Sequence, residues 1–195
     1  MPDSEVFEVR WHARGGQGAV TASRFLAAAA LRENKHFQGF PEFGTEREGA
    51  PIQAFNRISP NRIYWHENVT RPDAVVVLDP TLLEAVPVAA GLKEGGVLIV
   101  NSPQDPEEIR KLAGPEPGVK VYTVDATAIA TECIGRPITN TAMVGALVRV
   151  TGLVDYENVR AELESMFSGR FRESVVQGNL KALDRAYKEV KGNGH

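Results

Sequence analysis

The chain has 195 residues, 43% of them hydrophobic, enough for one core that buries about 70% of the surface the unfolded form exposes, so one domain over residues 1–195 is expected. Its formal net charge is −3 with both signs spread along the sequence, which excludes the electrostatic footprint of a nucleic-acid or anionic-membrane partner. Apolar stretches such as residues 74–78 and 97–100 fall far short of the roughly 20 that span a bilayer, and the acidic start Pro2-Asp3-Ser4-Glu5 lacks a signal peptide's basic opening, so a cytoplasmic location is expected.

In chain order, Phe7-Glu8-Val9-Arg10-Trp11 alternates apolar and polar residues and predicts a strand. It leads into Arg14-Gly15-Gly16-Gln17-Gly18 and then an alanine-rich helix over residues 20–31. The segment from Phe40 to Pro51 is too rich in Gly and Pro for a regular element; it is expected to be an ordered insertion loop, followed by a strand over residues 52–58. Three short valine-rich runs, residues 74–78, 97–100 and 119–124, fit strands buried on both faces of a parallel sheet, with helices between them. They run out into Asp79, Asn101 and Asp125, which places these residues and the glycine loop along one carboxyl edge.

After Asn140 the sequence predicts helices: a buried one over residues 141–150, an amphipathic one marked by Tyr156, Val159, Leu163 and Met166, and another marked by Val176, Leu180, Leu183, Tyr187 and Val190. Residues 192–195 are expected to fray. The fold class is therefore α/β: a three-layer, Rossmann-like domain with a mostly parallel sheet and a helical C-terminal segment.

Glycines at 15, 16 and 18 remove Cβ atoms that would hold a ligand off the backbone, and the helix that follows offers unpaired amides to an anion. The dipole contributes only about 0.3–1 kcal/mol at an exposed site, so Arg14 or another donor must add affinity. A ligand-free strand-to-helix turn is the alternative that the glycines alone leave open. A dinucleotide fingerprint fits less well, because Gly16-Gln17-Gly18 is followed by Ala19-Val20-Thr21 without the third glycine, and no P-loop lysine follows.

Glu46-Arg47-Glu48 offers an ion pair, a phosphate contact through Arg47, or a solvated surface. His12 is expected to be a structural hydrogen-bonding residue, and no residue is assigned catalysis. His36, His66 and His195 lack metal-ligand spacing, and Cys133 sits in an apolar run that predicts a buried structural thiol. As the only cysteine it can support neither a disulfide nor a thiolate-ligated iron–sulfur cluster within the chain. Asn140 and Thr141 stand at a helix entrance, where capping competes with a polar ligand contact from Asn140.

Four ordered phrases carry a resemblance: Arg14-Gly15-Gly16-Gln17-Gly18-Ala19-Val20-Thr21-Ala22; residues 40–51 with Ala54-Phe55-Asn56-Arg57-Ile58; Arg71-Pro72-Asp73 through Asp79-Pro80-Thr81-Leu82-Leu83; and Ile138-Thr139-Asn140-Thr141-Ala142. Together they resemble the gamma subunit of 2-oxoacid:ferredoxin oxidoreductases. Two positions depart from that pattern: Ala13, where a glycine commonly stands, and Glu48, where a second basic residue often follows the arginine. A carboxylate at 48 repels phosphate and favours a subunit contact there.

The resemblance implies a complex that oxidatively decarboxylates a 2-oxoacid with coenzyme A to acyl-CoA and carbon dioxide, passing electrons to ferredoxin. Pyruvate is the default substrate, with branched-chain, 2-oxoglutarate and aryl glyoxylate substrates open. Thiamine diphosphate, Mg and 4Fe-4S clusters are expected on partner subunits. This chain would assist coenzyme A binding through Arg14, Gly15, Gly16, Gln17, Gly18 and Asn140. The alternatives are a structural interaction subunit without a ligand, and a stand-alone NAD-binding oxidoreductase.

Overall fold

The computed structural model describes residues 6–42 and 49–192. Among the described residues seven strands form one sheet in the order β2-β3-β1-β4-β5-β6-β7. Four of them, β1 (Phe7–Arg14), β4 (Ala74–Val77), β5 (Val97–Asn101) and β6 (Lys120–Val124), are consecutive parallel neighbours. The valine runs form β4, β5 and β6 because such strands are covered on both faces and need no polar alternation. On the other side of β1, the hairpin β2 (His36–Pro41) and β3 (Pro51–Ser59) adds two antiparallel pairings.

The chain leaves β1 through α1 (Ala19–Leu31) toward the hairpin and leaves β4 in the opposite direction toward β5. The sheet's direction of travel therefore switches between β1 and β4, and the glycine loop sits at that switch.

One face of the sheet carries a large helical layer of α1, α4 (Ala126–Ile134), α5 (Asn140–Thr151), α6 (Tyr156–Phe167) and α7 (Glu173–Glu189), sharing a core with Val9, Trp11, Val76, Ile99 and Val124. The other face carries α2 (Leu82–Ala85), α3 (Pro106–Ala113) and the segment between, packed on Val75, Val77, Leu98, Val100 and Val121. The three-layer α/β arrangement expected from the sequence is thus present. Two glycines let α7 approach its neighbours: a Cβ at Gly145 would lie 2.6 Å from Leu183 O, and one at Gly178 would lie 2.5 Å from Cys133 O.

Two expectations need correction. Phe40 and Pro41 were assigned to an irregular insertion but belong to β2, because Phe40 pairs with Phe55 and Pro41 with Ala54 across the hairpin. Gly192 was assigned to a frayed end but pairs with Tyr122 in the short antiparallel β7 (Lys191–Gly192). There the tyrosine ring occupies the space a side chain would need: a Cβ at Gly192 would fall 2.0 Å from Tyr122 Cδ1. Glu46, Arg47, Glu48 and His195 lie outside the described residues.

The layers are joined by buried polar bonds. Trp11 Nε1 donates to Asn56 Oδ1 at 2.8 Å and Asn56 Nδ2 donates to Ser23 O at 2.7 Å, tying β1, β3 and α1 together. Among the described residues no helix is long and apolar enough to cross a membrane.

Candidate functional site

β1 outruns β4 by more than one residue at the carboxyl edge: His12 still pairs with Val77, but Arg14 has no partner on that side. The Arg14 amide that would continue the ladder donates instead to Gln17 Oε1 at 2.8 Å. Gln17 Nε2 in turn donates to Asp79 Oδ2 at 2.7 Å, just beyond β4. One side-chain amide therefore bridges the split between the two strands.

Asp79 is the hub of this edge. Its Oδ1 accepts from the Thr81 amide at 3.0 Å and from the Thr81 hydroxyl at 2.6 Å, while Arg14 Nε stands 3.4 Å from Oδ2. Burial alone would raise its pKa, but the bonds from Thr81 and Gln17 and the Arg14 charge outweigh it and hold the carboxyl below its ordinary range. The Arg14 guanidinium also donates to Thr81 Oγ1 at 2.8 Å and to Gly49 O at 3.1 Å. It keeps further N–H groups on a side chain that is 32% exposed.

The turn itself closes through Gln17 N to Arg14 O at 3.1 Å and is tied to the start of β3 by Gly15 N to Ala50 O at 2.9 Å. Gly16 has φ +93° and nothing within 4 Å of the place a Cβ would occupy, so its backbone is open to an approaching ligand. Gly18, φ +85°, precedes α1, whose first intrahelical bond of this turn runs from Ala22 N to Gly18 O. The first-turn amides at Ala19, Val20 and Thr21 accordingly have no intrahelical acceptor.

Asn140, the first residue of α5, stands beside Gly18, and a Cβ on that glycine would lie 2.7 Å from Asn140 Nδ2. The N-cap of α5 is Thr139, which makes no side-chain cap bond, so the capping expected of Asn140 is replaced by a local bond in which Asn140 Oδ1 accepts from Thr141 N at 2.9 Å. Next to it Phe25, Leu163, Met166 and Phe167 close around a gap of only about 10 Å³.

All six residues singled out in the sequence, Arg14, Gly15, Gly16, Gln17, Gly18 and Asn140, meet at this edge. Asp79 and Thr81 were not among them. The available signal was Asp79's place at the end of a buried strand beside the glycine loop; its partnership with Gln17 is a contact across 62 residues.

His12 lies elsewhere in role. Its Nε2 accepts from Arg10 Nε at 3.1 Å, and burial first, then the Arg10 charge, push its pKa down to about 3. It is a neutral structural acceptor for Arg10, whose guanidinium also donates to Val88 O at 3.1 Å. Cys133 is only partly buried, with its sulfur 3.9 Å from Arg185 Nη1. A concavity of about 620 Å³ opens at the opposite edge of the sheet, beside Glu8, Arg57, Trp65 and Lys93, but two of its cations are already paired, Arg57 with Glu8 at 2.8 Å and Lys93 with Asp73 at 2.9 Å.

Strand order and loop together define a Rossmann-like α/β domain whose glycine loop lies at the switch between β1 and β4. The chain is 48% identical over 185 residues to the pyruvate/ketoisovalerate oxidoreductases common subunit gamma of Thermococcus kodakarensis, covering 95% of this chain and 97% of that one. The crystal structure of the pyruvate oxidoreductase subunit PORC of Thermotoga maritima matches with a TM-score of 0.85 at 48% identity, over 97% of this chain and 99% of that one. A 2-oxoglutarate:ferredoxin oxidoreductase from Magnetococcus marinus shares the fold, with a TM-score of 0.77 at 22% identity; 95% of this chain matches 31% of that one.

The chain belongs to the pyruvate ferredoxin/flavodoxin oxidoreductase family, whose model matches residues 8–189, and within it to the gamma subunits. It is thus one component of a multi-subunit oxidoreductase.

Proposed function

We propose that this chain, as one gamma-type domain over residues 1–195, places coenzyme A in a cytoplasmic complex that oxidatively decarboxylates a 2-oxoacid. The products are acyl-CoA and carbon dioxide, with electrons passing to ferredoxin. Pyruvate is the first substrate to test, followed by branched-chain 2-oxoacids, 2-oxoglutarate and aryl glyoxylates. Thiamine diphosphate with Mg supplies the decarboxylation chemistry and 4Fe-4S clusters carry the electrons, all held by partner subunits.

The observation that carries this reading is the open glycine loop. Gly16 leaves its backbone uncovered, the first-turn amides of α1 are unspent within the helix, and the Arg14 guanidinium at the start of the loop is fixed by Asp79, Thr81 and Gly49. Such a loop suits a phosphate. The fold-sharing oxidoreductase from Magnetococcus marinus was solved with coenzyme A and succinyl-CoA bound, which agrees with this choice of ligand.

The chain's own contribution is positional. Holding coenzyme A so that its thiol meets the acyl group generated in the thiamine-binding subunits lowers the entropic part of a two-substrate step. Within the loop, Gln17 sets the backbone and Arg14 supplies the charge. Steady-state kinetics of the purified complex carrying Arg14→Ala test this: KM for coenzyme A is expected to rise about tenfold, the loss of one charged hydrogen bond of about 1.5 kcal/mol, with subunit composition unchanged. Unaltered kinetics with a disrupted complex would instead identify the loop as a structural contact, and dinucleotide binding by the isolated chain would return the NAD-dependent reading.

A further inference from the structure

We infer that the end of the helical layer beside the glycine loop, formed by residues 135–139 and 168–172, docks on an acidic, apolar-centred surface of a partner subunit. The inference needs only the chain's place in a multi-subunit oxidoreductase and is independent of the coenzyme A reading.

Residues 135–139 join α4 to α5, and residues 168–172 join α6 to α7. Contacts between the helices bring the two connections together. A Cβ at Gly178 in α7 would lie 2.5 Å from Cys133 O near the end of α4. Thr141 Oγ1 donates to Asn179 Oδ1 at 3.1 Å, so α5 begins alongside the first turns of α7. Phe167, the last residue of α6, lines the same small gap as Asn140, and Asn140 stands beside Gly18. Both connections and the glycine loop therefore share one end of the layer.

The sequences there are Gly135-Arg136-Pro137-Ile138-Thr139 and Ser168-Gly169-Arg170-Phe171-Arg172, with three arginines and no carboxylate in a chain whose net charge is −3. Arg136, Arg170 and Arg172 are exposed, and none has a side-chain partner among the described residues. Arg160 and Arg185, within α6 and α7, are by contrast each ion-paired, with Asp184 at 3.6 Å and Glu189 at 2.7 Å. The unpaired cations also precede the amino ends of α5 and α7, where the helix dipoles are themselves positive. Glu173, the one acid in the first turn of α7, is bonded to Gln177 Nε2 at 2.7 Å. Large apolar side chains stand among these charges: Ile138 is 44% exposed and Phe171 53%, the latter's ring 5.0 Å from that of Phe167.

Charge and apolar surface together select the occupant. A second copy presenting the same end would set arginines against arginines, so a face-to-face pair is opposed by its own charge. A small anion would use the guanidinium groups and leave Ile138 and Phe171 in water. An acidic protein surface uses both, because carboxylates accept the guanidinium forks while aromatic and arginine side chains anchor interface cores. The chain is one component of a multi-subunit oxidoreductase, so a partner subunit supplies that surface. Docking here sets the glycine loop at the boundary between the two.

The test measures association of the full chain with the complex prepared without it. Binding is expected to weaken at least about tenfold for Phe171→Ala and for the triple variant Arg136→Glu, Arg170→Glu and Arg172→Glu, each with the circular dichroism of the unmodified chain. Leu112→Ala, which removes a side chain 50% exposed on α3, on the other face of the sheet, should leave binding unchanged. Raised ionic strength should weaken the unmodified association and leave that of the triple variant nearly unaltered. In unmodified proteins, the amides of Arg136, Ile138 and Phe171 should gain hydrogen-exchange protection on assembly. Absence of that protection overturns the proposal, as does binding that neither variant weakens or that Leu112→Ala weakens equally. A triple variant that assembles normally but needs more coenzyme A would give the arginines to the ligand instead. Self-association of the chain, or its capture by anionic lipid vesicles, abolished by Phe171→Ala while assembly is unchanged would likewise overturn it.

Discussion

Gln17 and Asp79 are joined by a 2.7 Å hydrogen bond that holds the turn after β1 against the turn after β4. The carboxylate also takes two bonds from Thr81 and faces Arg14, so removing it frees four groups on three residues at once. Asp79→Ala is expected to lower stability by about 1–3 kcal/mol, the range for a lost charged hydrogen bond in a partly buried site. On the proposed role of the loop, it should raise KM for coenzyme A several-fold with a smaller change in kcat, because the loop loses its setting. Denaturant melts of the chain and kinetics of the complex check the two halves.

Gly16 and Gly18 share a left-handed backbone but differ in surroundings. Alanine at 16 meets only strain, of order 1 kcal/mol, whereas alanine at 18 adds a contact of 2.7 Å with Asn140 Nδ2. Gly18→Ala should therefore destabilise the fold more than Gly16→Ala by about 1–3 kcal/mol. The order reverses for the ligand: the methyl at 16 projects into open space at the loop, so Gly16→Ala should impair coenzyme A use more than its stability loss explains. Paired thermal melts and KM measurements separate them.

His12 makes a pH prediction with a definite sign. Its pKa is about 3 when folded, against an unfolded value near 6.5, so between these limits the unfolded chain binds the extra proton. The stability it supports is present above pH of about 6.5 and declines as pH falls toward about 3, with a slope approaching 1.4 kcal/mol per pH unit. His12→Gln, which keeps an acceptor for Arg10, should flatten this part of the profile. Urea unfolding at pH 7 and pH 5 measures the difference.

Gly145 and Gly178 set how closely α7 lies on α5 and α4. A methyl at either meets backbone carbonyl oxygen at 2.6 Å or 2.5 Å, which cannot yield as a flexible side chain would. Gly145→Ala and Gly178→Ala should each cost about 1–3 kcal/mol by overpacking, despite alanine's better helix propensity. Neither should change KM for coenzyme A in complex that remains folded.

The strands that are buried on both faces, and the helices with regular apolar stripes, could be read from sequence because their pattern is local. Val75, Val76 and Val77 say strand without reference to anything else, and Leu180 and Leu183 mark a helix face. β2 could not be read so: Gly39 and Pro41 argue against a strand, and what makes it one is the pairing with residues 54–59. The same holds at the site. The glycines announce a turn open to a ligand, but Gln17 reads equally as a ligand contact, and only the fold shows its amide bridging Arg14 and Asp79. Gly192 was misplaced because nothing nearby reveals that Tyr122 lies across it.

The β2–β3 hairpin opens toward the glycine loop: β2 runs with β1, β3 runs against it, and Gly49 and Ala50 at the start of β3 already bond Arg14 and Gly15. Gly49 and Ala50, where the connection enters β3, are thus held at the glycine loop. Each doubling of such a connection costs only about 0.6 kcal/mol in closure entropy. Insertions and deletions in this connection should therefore leave the seven strands in register at small cost while altering the surroundings of Arg14 and Gly15.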